Sequence, residues 1–355
     1  MLIRGGRVVV TVVASQTKTT WKEYFMVTQS KFRALKGFAG GLCLSLGLVS
    51  GGMAGEGDVK VTPLGSHDGE FCALDRAMVF EDPNGTRILY DAGRTVAGPE
   101  DPRLGNIDVI LVSHMHGDHV GDRRIEETNA GTCGKPDFPV VTLPQSNSVD
   151  IAVKKQAKIV TGSEMPAFFA AKLEAAGGDP ANSMLVRFGG EREVGGVAIT
   201  TVPAVHSNGV SPSFLTGPLA EYLKAAGVSA NVGPPTGYVL TFSNGLVVYL
   251  SGDTGITAEQ KWVVNDHYGA ELVVMNIGDT FTTGPKEAAY VINELIEPKA
   301  VIASHANEPA TSGGKLEQGS RTARFKELVN VPVHVPLSGR TIAFNGDGGC
   351  TAGCD

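Results

Sequence analysis

The segment Ser113–His119 has three histidines and one aspartate in its last six positions. It follows Ile107–Val112, a nearly continuous apolar run that is typical of a strand covered on both faces. His114 and His116 cannot share a helix face, where neighbours are three or four residues apart, but a loop at a strand end can aim all four side chains at one point. Imidazole and carboxylate groups are the usual ligands of zinc and similar divalent ions. The segment therefore predicts a metal site at the end of a buried strand.

Three more donors follow apolar, strand-like stretches further along the chain, namely His206, Asp253 and His305. Each of them alone would more often be a structural residue. In this order, at the ends of predicted strands, they extend the first group to a set of seven, which is enough for two metal ions. The four donors of the first group are His114, His116, Asp118 and His119.

The second half of the chain repeats a pattern found in the first half. Gly85–Gly93 and Gly245–Gly255 each contain a turn, an apolar strand and then an aspartate beside glycine. The repeat predicts two β-sheets with helices on their outer faces, each sheet delivering side chains from its strand ends. Helices are predicted over Met165–Ala176 and Pro218–Ala226, both followed by glycine. No linker-like composition separates the halves, so a single domain is expected.

The pattern HxHxDH, followed by a distant His, then Asp, then His, resembles the metallo-β-lactamase superfamily. The resemblance covers residues 59–345 and implies an α/β protein with a four-layer αββα sandwich. It also implies two divalent metal ions, with Zn²⁺ expected and Mn²⁺ or Fe²⁺ as alternatives, and a water or hydroxide between them as nucleophile. The implied ligands are His114, His116 and His206 for the first ion, Asp118, His119 and His305 for the second, and Asp253 bridging both.

A further segment, Gly278–Ala289, resembles the branch of that superfamily that contains ascorbate-6-phosphate lactonase and related metal-dependent hydrolases. Thr283 stands where this branch usually has methionine. Asp279 lies at a predicted strand end, and two roles are considered for it. It is either a base or ligand-orienting carboxylate, or an acid that caps a loop or helix. Asp118 and Asp279 are therefore the candidate catalytic carboxylates.

Charge and family resemblance narrow the substrate class. Residues 55–355 carry 23 basic and 36 acidic side chains, a formal charge of −13, which disfavours a nucleic-acid substrate. The resemblance, with His116 where diiron relatives commonly have Glu and with Asp253 as a bridge, favours hydrolysis of a lactone or other small carboxylic ester. The alternatives are a β-lactamase, a phosphodiesterase and, last, a non-catalytic metal-binding protein. The insertions Gly121–Pro139 and Ser207–Gly237 are expected to wall a site for a small-molecule substrate. For Ser207–Gly237 the alternative is a surface excursion that only packs on the sheet.

The first 54 residues have the composition of a targeting segment. Lys31, Arg33 and Lys36 precede the weakly polar run 37–49, and small residues follow at 52–54. This order is typical of a secretory signal peptide, which is predicted over 26–54 behind an upstream extension of 1–25. The alternative, a membrane anchor, is disfavoured because the run is short and rich in glycine. An exported hydrolase domain, periplasmic or secreted, is expected over 55–355, without a stable membrane span.

The cysteines are consistent with export. Four of them follow residue 54, and an even number in an exported chain suggests disulfides. Cys350 and Cys354 are so close in sequence that a small C-terminal loop is the simplest pairing. That choice pairs Cys72 with Cys133.

Overall fold

The computed structural model describes residues 57–354, and the predicted signal peptide and upstream extension lie outside the described residues. Two mixed β-sheets form the centre of this region. The first sheet contains β1 Val59–Pro63, β2 Met78–Glu81, β3 Arg87–Tyr90, β4 Val109–Leu111, β5 Lys158–Thr161, β6 Ser183–Leu185, β14 Ile342–Phe344 and β15 Cys350–Ala352. The second contains β7 Glu191–Val194, β8 Val197–Pro203, β9 Thr236–Thr241, β10 Val247–Leu250, β11 Leu272–Asn276, β12 Ala300–Ser304 and β13 Val333–His334.

The strand order is β6-β5-β4-β3-β2-β1-β14-β15 in the first sheet and β7-β8-β9-β10-β11-β12-β13 in the second. Strands β3 to β6 are mutually parallel, as are β10 to β13, and the remaining neighbours are antiparallel. The loops contain four antiparallel ladders of two residues per strand: Arg123–Arg124 with Val140–Val141, Gly131–Thr132 with Lys135–Pro136, Gly209–Val210 with Ala230–Asn231, and Thr311–Ser312 with Lys315–Leu316.

Helices connect the strands and cover the sheets. The α-helices are α1 Gly117–Val120, α2 Asn147–Lys155, α3 Met165–Ala175, α4 Pro218–Ala226, α5 Pro285–Tyr290 and α6 Arg321–Leu328. Two π-helical segments, Gln260–Asn265 and Val291–Ile296, and two 3₁₀ turns, Pro180–Asn182 and Pro212–Phe214, complete the set. The two helices predicted from sequence correspond to α3 and α4, with bounds that agree to within one residue.

Side-chain alternation along the strands produces four layers. In β3, Ile88 and Tyr90 face the core between the sheets, whereas Leu89 packs under the helices outside the first sheet. In β10, Leu250 faces the same central core, and Tyr249 packs under the helices outside the second sheet. Because successive side chains of a strand point to opposite faces, each sheet buries both of its faces. The predicted αββα sandwich is confirmed.

Polar contacts join the two sheets at the edge where β3, β4 and β9 meet. The hydroxyl of Tyr238 on β9 donates to the Val112 carbonyl at 2.8 Å, and the hydroxyl of Tyr90 on β3 accepts from Gly252 N at 3.0 Å. The backbone of Thr236 donates to the Ser113 carbonyl at 2.8 Å. These bonds hold the loops that follow β4 and β10 next to each other, because each bond crosses between sheets.

Both predicted disulfides are present, Cys72–Cys133 and Cys350–Cys354. The first joins the loop after β1 to the excursion that follows α1. Within residues 57–354, the helices are all too short or too polar to cross a bilayer.

Candidate metal centre

The seven candidate ligands all come from loops at one edge of the two sheets. His114 and His116 follow β4, and the short helix α1 carries Asp118 and His119. The other three follow strands of the second sheet, with His206 after β8, Asp253 after β10 and His305 after β12. Since β8, β10 and β12 run in the same direction, their carboxyl ends lie at the same edge. The structure therefore brings together all seven residues that the sequence singled out.

The ligand atoms form two compact groups. In each group they lie within 4.8 Å of one another. One group is His114, His116, His206 and Asp253, and the other is Asp118, His119 and His305. The three residues of the second group and the three histidines of the first are the sets that the family resemblance implies for the two ions, and Asp253 falls in the first group.

One carboxylate oxygen faces both groups. Asp253 Oδ2 lies 3.7 Å from the Nε2 atoms of His114 and His206, which belong to the first group. The same oxygen lies 3.3 Å from His119 Nε2 and 3.0 Å from His305 Nε2, which belong to the second. A residue in this position can share its carboxylate between two cations.

Hydrogen bonds behind the rings determine which nitrogen faces the centre. His114 Nδ1 lies 3.0 Å from Ser113 Oγ, and His119 Nδ1 lies 2.8 Å from Asp91 Oδ2. His116 is held at its other nitrogen, since its Nε2 lies 3.2 Å from Ser207 Oγ. A ring that donates on one side presents a lone pair on the other, which is the arrangement that metal-binding histidines need.

The described residues fit a bound cation at this centre. The Nε2 atoms of His114 and His119 are buried, and within residues 57–354 neither has a hydrogen-bond partner. Buried polar atoms are almost always satisfied, so two such atoms aimed at one carboxylate indicate a missing ligand. The donor set of imidazoles and carboxylates is suited to Zn²⁺ and related divalent ions.

The electrostatics of the centre also favour cations. Burial lowers the pKa of His114 well below its ordinary value, so this ring is neutral at physiological pH. Burial opposes ionisation of Asp118, but His119, Arg76 and His305 outweigh it and lower its pKa. Burial also opposes protonation of His119, yet the carboxylates of Asp253, Asp118 and Asp91 raise its pKa well above the ordinary value. A proton and a cation thus compete for the same electron pair of His119.

Two residues that hold candidate ligands in place, Asp91 and Arg76, were not predicted from the sequence. Asp91 accepts hydrogen bonds from Ser113 N and Ser113 Oγ, both at 2.8 Å, besides its contact with His119. A signal for Asp91 was present, because it is the aspartate of the first repeat, although it directly follows its strand whereas Asp253 comes three residues after Leu250. Arg76 lies in an early loop and has no such signal.

The Arg76 side chain is only 2% exposed and donates to Asp118 Oδ2 from Nε at 3.3 Å and from Nη2 at 3.1 Å. Its Nη2 also donates to Asn307 Oδ1 at 2.6 Å, and its Nη1 donates to the Asp75 carbonyl at 3.1 Å. A guanidinium so fully engaged holds Asp118 in place and has little capacity left for a substrate.

Asp279 is not brought to the metal ligands. It is exposed, and its carboxylate accepts a hydrogen bond from Thr280 N at 2.8 Å in its own loop. Among residues 57–354 it makes no hydrogen bond to any of the seven candidate ligands, and it lies outside the set that lines the metal-site cleft. This placement corresponds to the loop-capping role that was considered for Asp279. The base or ligand-orienting role would require a contact with a candidate ligand, and the hydrogen bonds described here include none.

A cleft of about 430 Å³ opens over the centre. Besides ligands, its lining includes Leu74, Arg94, Ser207, Phe281 and Asn307. Of the two insertions that were expected to wall the site, Ser207–Gly237 contributes Ser207 alone and Gly121–Pro139 contributes nothing. The Ser207–Gly237 excursion packs against the core outside the first sheet through a few side chains, among them the buried Phe214. A larger cavity of about 620 Å³ lies within this excursion, around α4, and contains none of the candidate ligands.

Comparison with known proteins places the chain in a family. The model of the β-lactamase superfamily domain matches residues 86–306. A UPF0173 metal-dependent hydrolase of Koribacter versatilis is 29% identical over 252 residues, which cover 70% of this chain and 87% of the relative. Another protein of that name, from Methanopyrus kandleri, is 32% identical over 235 residues, with 65% and 81% covered.

Solved structures support the fold. Igni18, a metallo hydrolase of Ignicoccus hospitalis, superposes with a TM-score of 0.51 at 21% identity, covering 81% of this chain and 99% of that one. YhfI of Bacillus subtilis, a metallo-β-lactamase fold protein, gives a TM-score of 0.50 at 14% identity, with coverage of 81% and 100%. The closer resemblance to the lactonase branch stays a prediction. The chain therefore belongs to the β-lactamase superfamily, within the family of UPF0173 metal-dependent hydrolases.

Proposed function

We propose that this metal-dependent hydrolase uses a dinuclear centre to hydrolyse a lactone or another small carboxylic ester. The observation that carries the dinuclear part is the position of Asp253 Oδ2, within 3.7 Å of two imidazole nitrogens from each ligand group. A carboxylate between two groups of imidazole and carboxylate donors is suited to bridging two cations.

In this proposal His114, His116 and His206 would hold one ion, Asp118, His119 and His305 would hold the other, and Asp253 would contact both. Zn²⁺ is the expected metal, with Mn²⁺ or Fe²⁺ as alternatives. A bound pair of divalent ions supplies a nucleophilic water at neutral pH and polarises the bond that is broken.

The chain's own residues fix this arrangement before substrate arrives. Ser113, Ser207 and Asp91 orient three of the imidazole rings through the contacts described above. Arg76 holds Asp118 from behind and neutralises part of its charge. Such outer contacts keep ligand geometry rigid and tune metal affinity.

The cleft favours an uncharged ester or lactone over a phosphodiester. Arg94 is the single Lys or Arg side chain among the residues that line it, and both Nε and Nη2 of Arg94 are engaged by Asp122, at 2.7 and 2.9 Å. Phosphate recognition normally uses an arginine or lysine that is available to the ligand. Leu74 and Phe281 give the cleft apolar surface instead.

The test combines metal analysis with turnover. Asp253→Ala should remove a shared ligand and lower turnover by several orders of magnitude, because nucleophile generation and polarisation fail together. Metal content is measured first, and then hydrolysis of a lactone, an ester, a β-lactam and a phosphodiester by the wild-type and variant proteins. Asp266→Ala, on the surface beside Lys261, is the control. Retention of two metals and normal turnover by the Asp253 variant would refute the dinuclear proposal, and turnover of the phosphodiester alone would refute the substrate class.

We also propose that the protein is exported and that the mature chain begins near Gly55. The two disulfides support this location, because such bonds persist in oxidising compartments. N-terminal sequencing of secreted or periplasmic material should give a start near Gly55. A start at Met1 or Met26 would contradict signal cleavage.

A further inference from the structure

We infer that a groove beside the metal-site cleft binds an uncharged apolar chain carried by the substrate, an inference that rests on the proposed hydrolase function. The groove has a volume of about 540 Å³ and is lined by Val205, Ile256 and Phe281 together with polar backbone and side chains of the same three loops. We call it the apolar groove. The substrate would then have two recognised features, the ester or lactone bond and an uncharged apolar chain.

Two of the loops that build the apolar groove also carry metal ligands. Val205 directly precedes His206, and Thr254 directly follows Asp253. Val205 N donates to Thr254 Oγ1 at 3.0 Å, and the Val205 carbonyl accepts from Gly255 N at 3.1 Å. These bonds fix the groove floor to the ligand loops, so a chain in the groove lies next to the metal centre.

The groove and the cleft adjoin each other. His206, Thr280 and Phe281 line both of them. A substrate whose reacting carbonyl lies at the metal centre can therefore extend a substituent past Phe281 into the groove. Combined cleft and groove dimensions are in the range of sites that take small molecules.

The apolar side chains of the groove are unusually open to solvent. Phe281 is 66% exposed, Val205 65% and Ile256 47%. Exposed hydrophobic residues scattered singly need no explanation, but a group of them around one concave surface marks a binding site. Covering these side chains with an alkyl chain removes apolar surface from water, which is favourable.

The charges that line the apolar groove disfavour an anionic chain. The lining of the apolar groove includes the carboxylates of Asp279 and Glu287 and no Lys or Arg. Within residues 57–354, neither carboxylate forms an ion pair. The cations Lys286, Arg321 and Arg324 line an adjoining cleft, which shares Asp279 and Glu287 with the groove. A carboxylate or phosphate in the groove would face two like charges, which disfavours an anionic occupant. The three exposed apolar side chains favour an alkyl chain over a cationic one, so the expected occupant is uncharged.

The backbone that presents Phe281 is strained. Asp279 and Thr280 have φ values of 53° and 54°. The left-handed region is unfavourable for a β-branched residue such as threonine, and such strain tends to persist at functional sites. Here it turns the chain so that Phe281 stands at the junction of cleft and groove.

The experiment uses metal-loaded full-length mature protein and a series of γ-lactones with increasing alkyl substituents, from γ-butyrolactone to γ-decalactone. In the wild-type protein kcat/KM should rise about two- to fourfold per added CH₂ until the groove is filled. Phe281→Ser should flatten this rise with chain length. Leu219→Ser is the matched control, because Leu219 is 59% exposed on α4 and lines neither the cleft nor the groove.

Binding of the non-reacting lactam analogues distinguishes failure of the proposed function from failure of the groove inference. Calorimetry should show that γ-decalactam binds at least tenfold more tightly than γ-butyrolactam, and that Phe281→Ser removes most of this difference. If no lactone or ester is hydrolysed but the lactam difference and its loss are observed, the proposed function fails and the groove stands. If lactones are hydrolysed with no dependence on chain length, or if Phe281→Ser and Leu219→Ser behave alike, the groove inference is overturned.

Removal of the two groove carboxylates tests whether their charge selects an uncharged occupant. An ester with a carboxylate at the end of its chain should be hydrolysed less efficiently than its uncharged methyl-terminated counterpart. Asp279→Asn combined with Glu287→Gln should reduce this discrimination roughly fivefold at low ionic strength, and added salt should do the same in the wild-type protein. Unchanged discrimination in the double variant would show that the two carboxylates do not select the occupant.

Discussion

Asp91 illustrates how much of this centre depends on residues that do not face the cleft. Its Oδ1 accepts from Ser113 N, and its Oδ2 contacts both Ser113 Oγ and His119 Nδ1. The side chain is buried, and the backbone has a φ of 42°. One carboxylate thus fixes the start of the ligand loop and the orientation of a ring in the second ligand group.

Asp91→Asn should weaken binding of the ion held by His119 about 10- to 100-fold, the range for outer partners of metal ligands. An amide NH₂ group facing His119 Nδ1 would move the ring proton to Nε2, the atom that faces the centre. Competition with a chromogenic chelator measures the affinity. Asp82→Asn is the matched control, because Asp82 is equally buried but accepts from Asn84 N, Ser243 N and Ser243 Oγ at a distant turn. Wild-type affinity in the Asp91 variant would contradict the assignment.

At the residue scale the sequence predicts side chains that share a recognisable spacing. His114, His116, Asp118 and His119 could be found because four donors within six positions rarely have another explanation. Arg76 could not, because its role arises from a loop that folds back over Asp118 from 42 positions away. Asp279 has a suggestive position in sequence, but its direction depends on a local backbone turn that no pattern specifies.

At the scale of elements, strands and helices with clear periodicity or end signals were predicted well. The helix Pro218–Ala226 has the predicted bounds, and the strand Arg87–Tyr90 lies inside the repeat Gly85–Gly93 that predicted a strand. The Ser207–Gly237 excursion was less predictable, because its apolar residues could face either a substrate or the sheet. The structure shows that Phe214 packs inward, whereas Leu219 and Tyr222 remain exposed. Which face an irregular segment covers depends on contacts with distant residues.

The Cys72–Cys133 disulfide restrains the loop that carries Leu74 and Arg76 to the metal site. It closes a loop with a sequence separation of 61, whereas the separation is 4 for Cys350–Cys354. Loop-closure entropy grows with loop length, so Cys72→Ser with Cys133→Ser should lower the free energy of unfolding by about 4 kcal/mol.

The corresponding Cys350→Ser and Cys354→Ser pair serves as the control, with an expected loss of about 2 kcal/mol. Urea unfolding of both double variants at one pH and metal concentration provides the comparison. Equal losses, or a larger loss for the C-terminal pair, would show that loop closure does not dominate.

The loop between β3 and β4 contains an acid-sensitive ion pair. Asp101 accepts from Ala97 N at 2.8 Å and from Arg103 Nη2 at 2.6 Å. Burial opposes ionisation of Asp101, but Arg103 and the backbone donors outweigh it and lower its pKa below 3.8. Because the folded-state pKa is below the unfolded one, the stabilisation is complete above pH 3.8 and is lost as the pH falls through the folded-state value.

Asp101→Asn should therefore lower the free energy of unfolding by about 1.5–3 kcal/mol at pH 7, the range for hydrogen bonds to charged groups. The difference from the wild-type protein should be the same at pH 5 and should shrink below pH 3.8. Denaturant unfolding at these pH values measures it. A difference that grows as the pH falls would contradict the sign of the pKa shift.

For the whole molecule, the metal centre depends on two sheets meeting at one edge. The first sheet contributes His114, His116, Asp118 and His119, and the second contributes His206, Asp253 and His305. The weak internal repeat in the sequence predicted two sheets whose strand ends deliver side chains to the site. It could not predict how they meet, because that is determined by contacts such as those of Tyr90 and Tyr238 between residues more than 70 positions apart.

The most direct test of the central claim is a crystal structure of the zinc-loaded protein with anomalous scattering measured at the zinc edge. We predict two anomalous peaks about 3.5–4 Å apart. Asp253 Oδ2 should lie between them, with His114, His116 and His206 around one and Asp118, His119 and His305 around the other. A single peak at saturating zinc, or two peaks with Asp253 turned away from both, would contradict the dinuclear account.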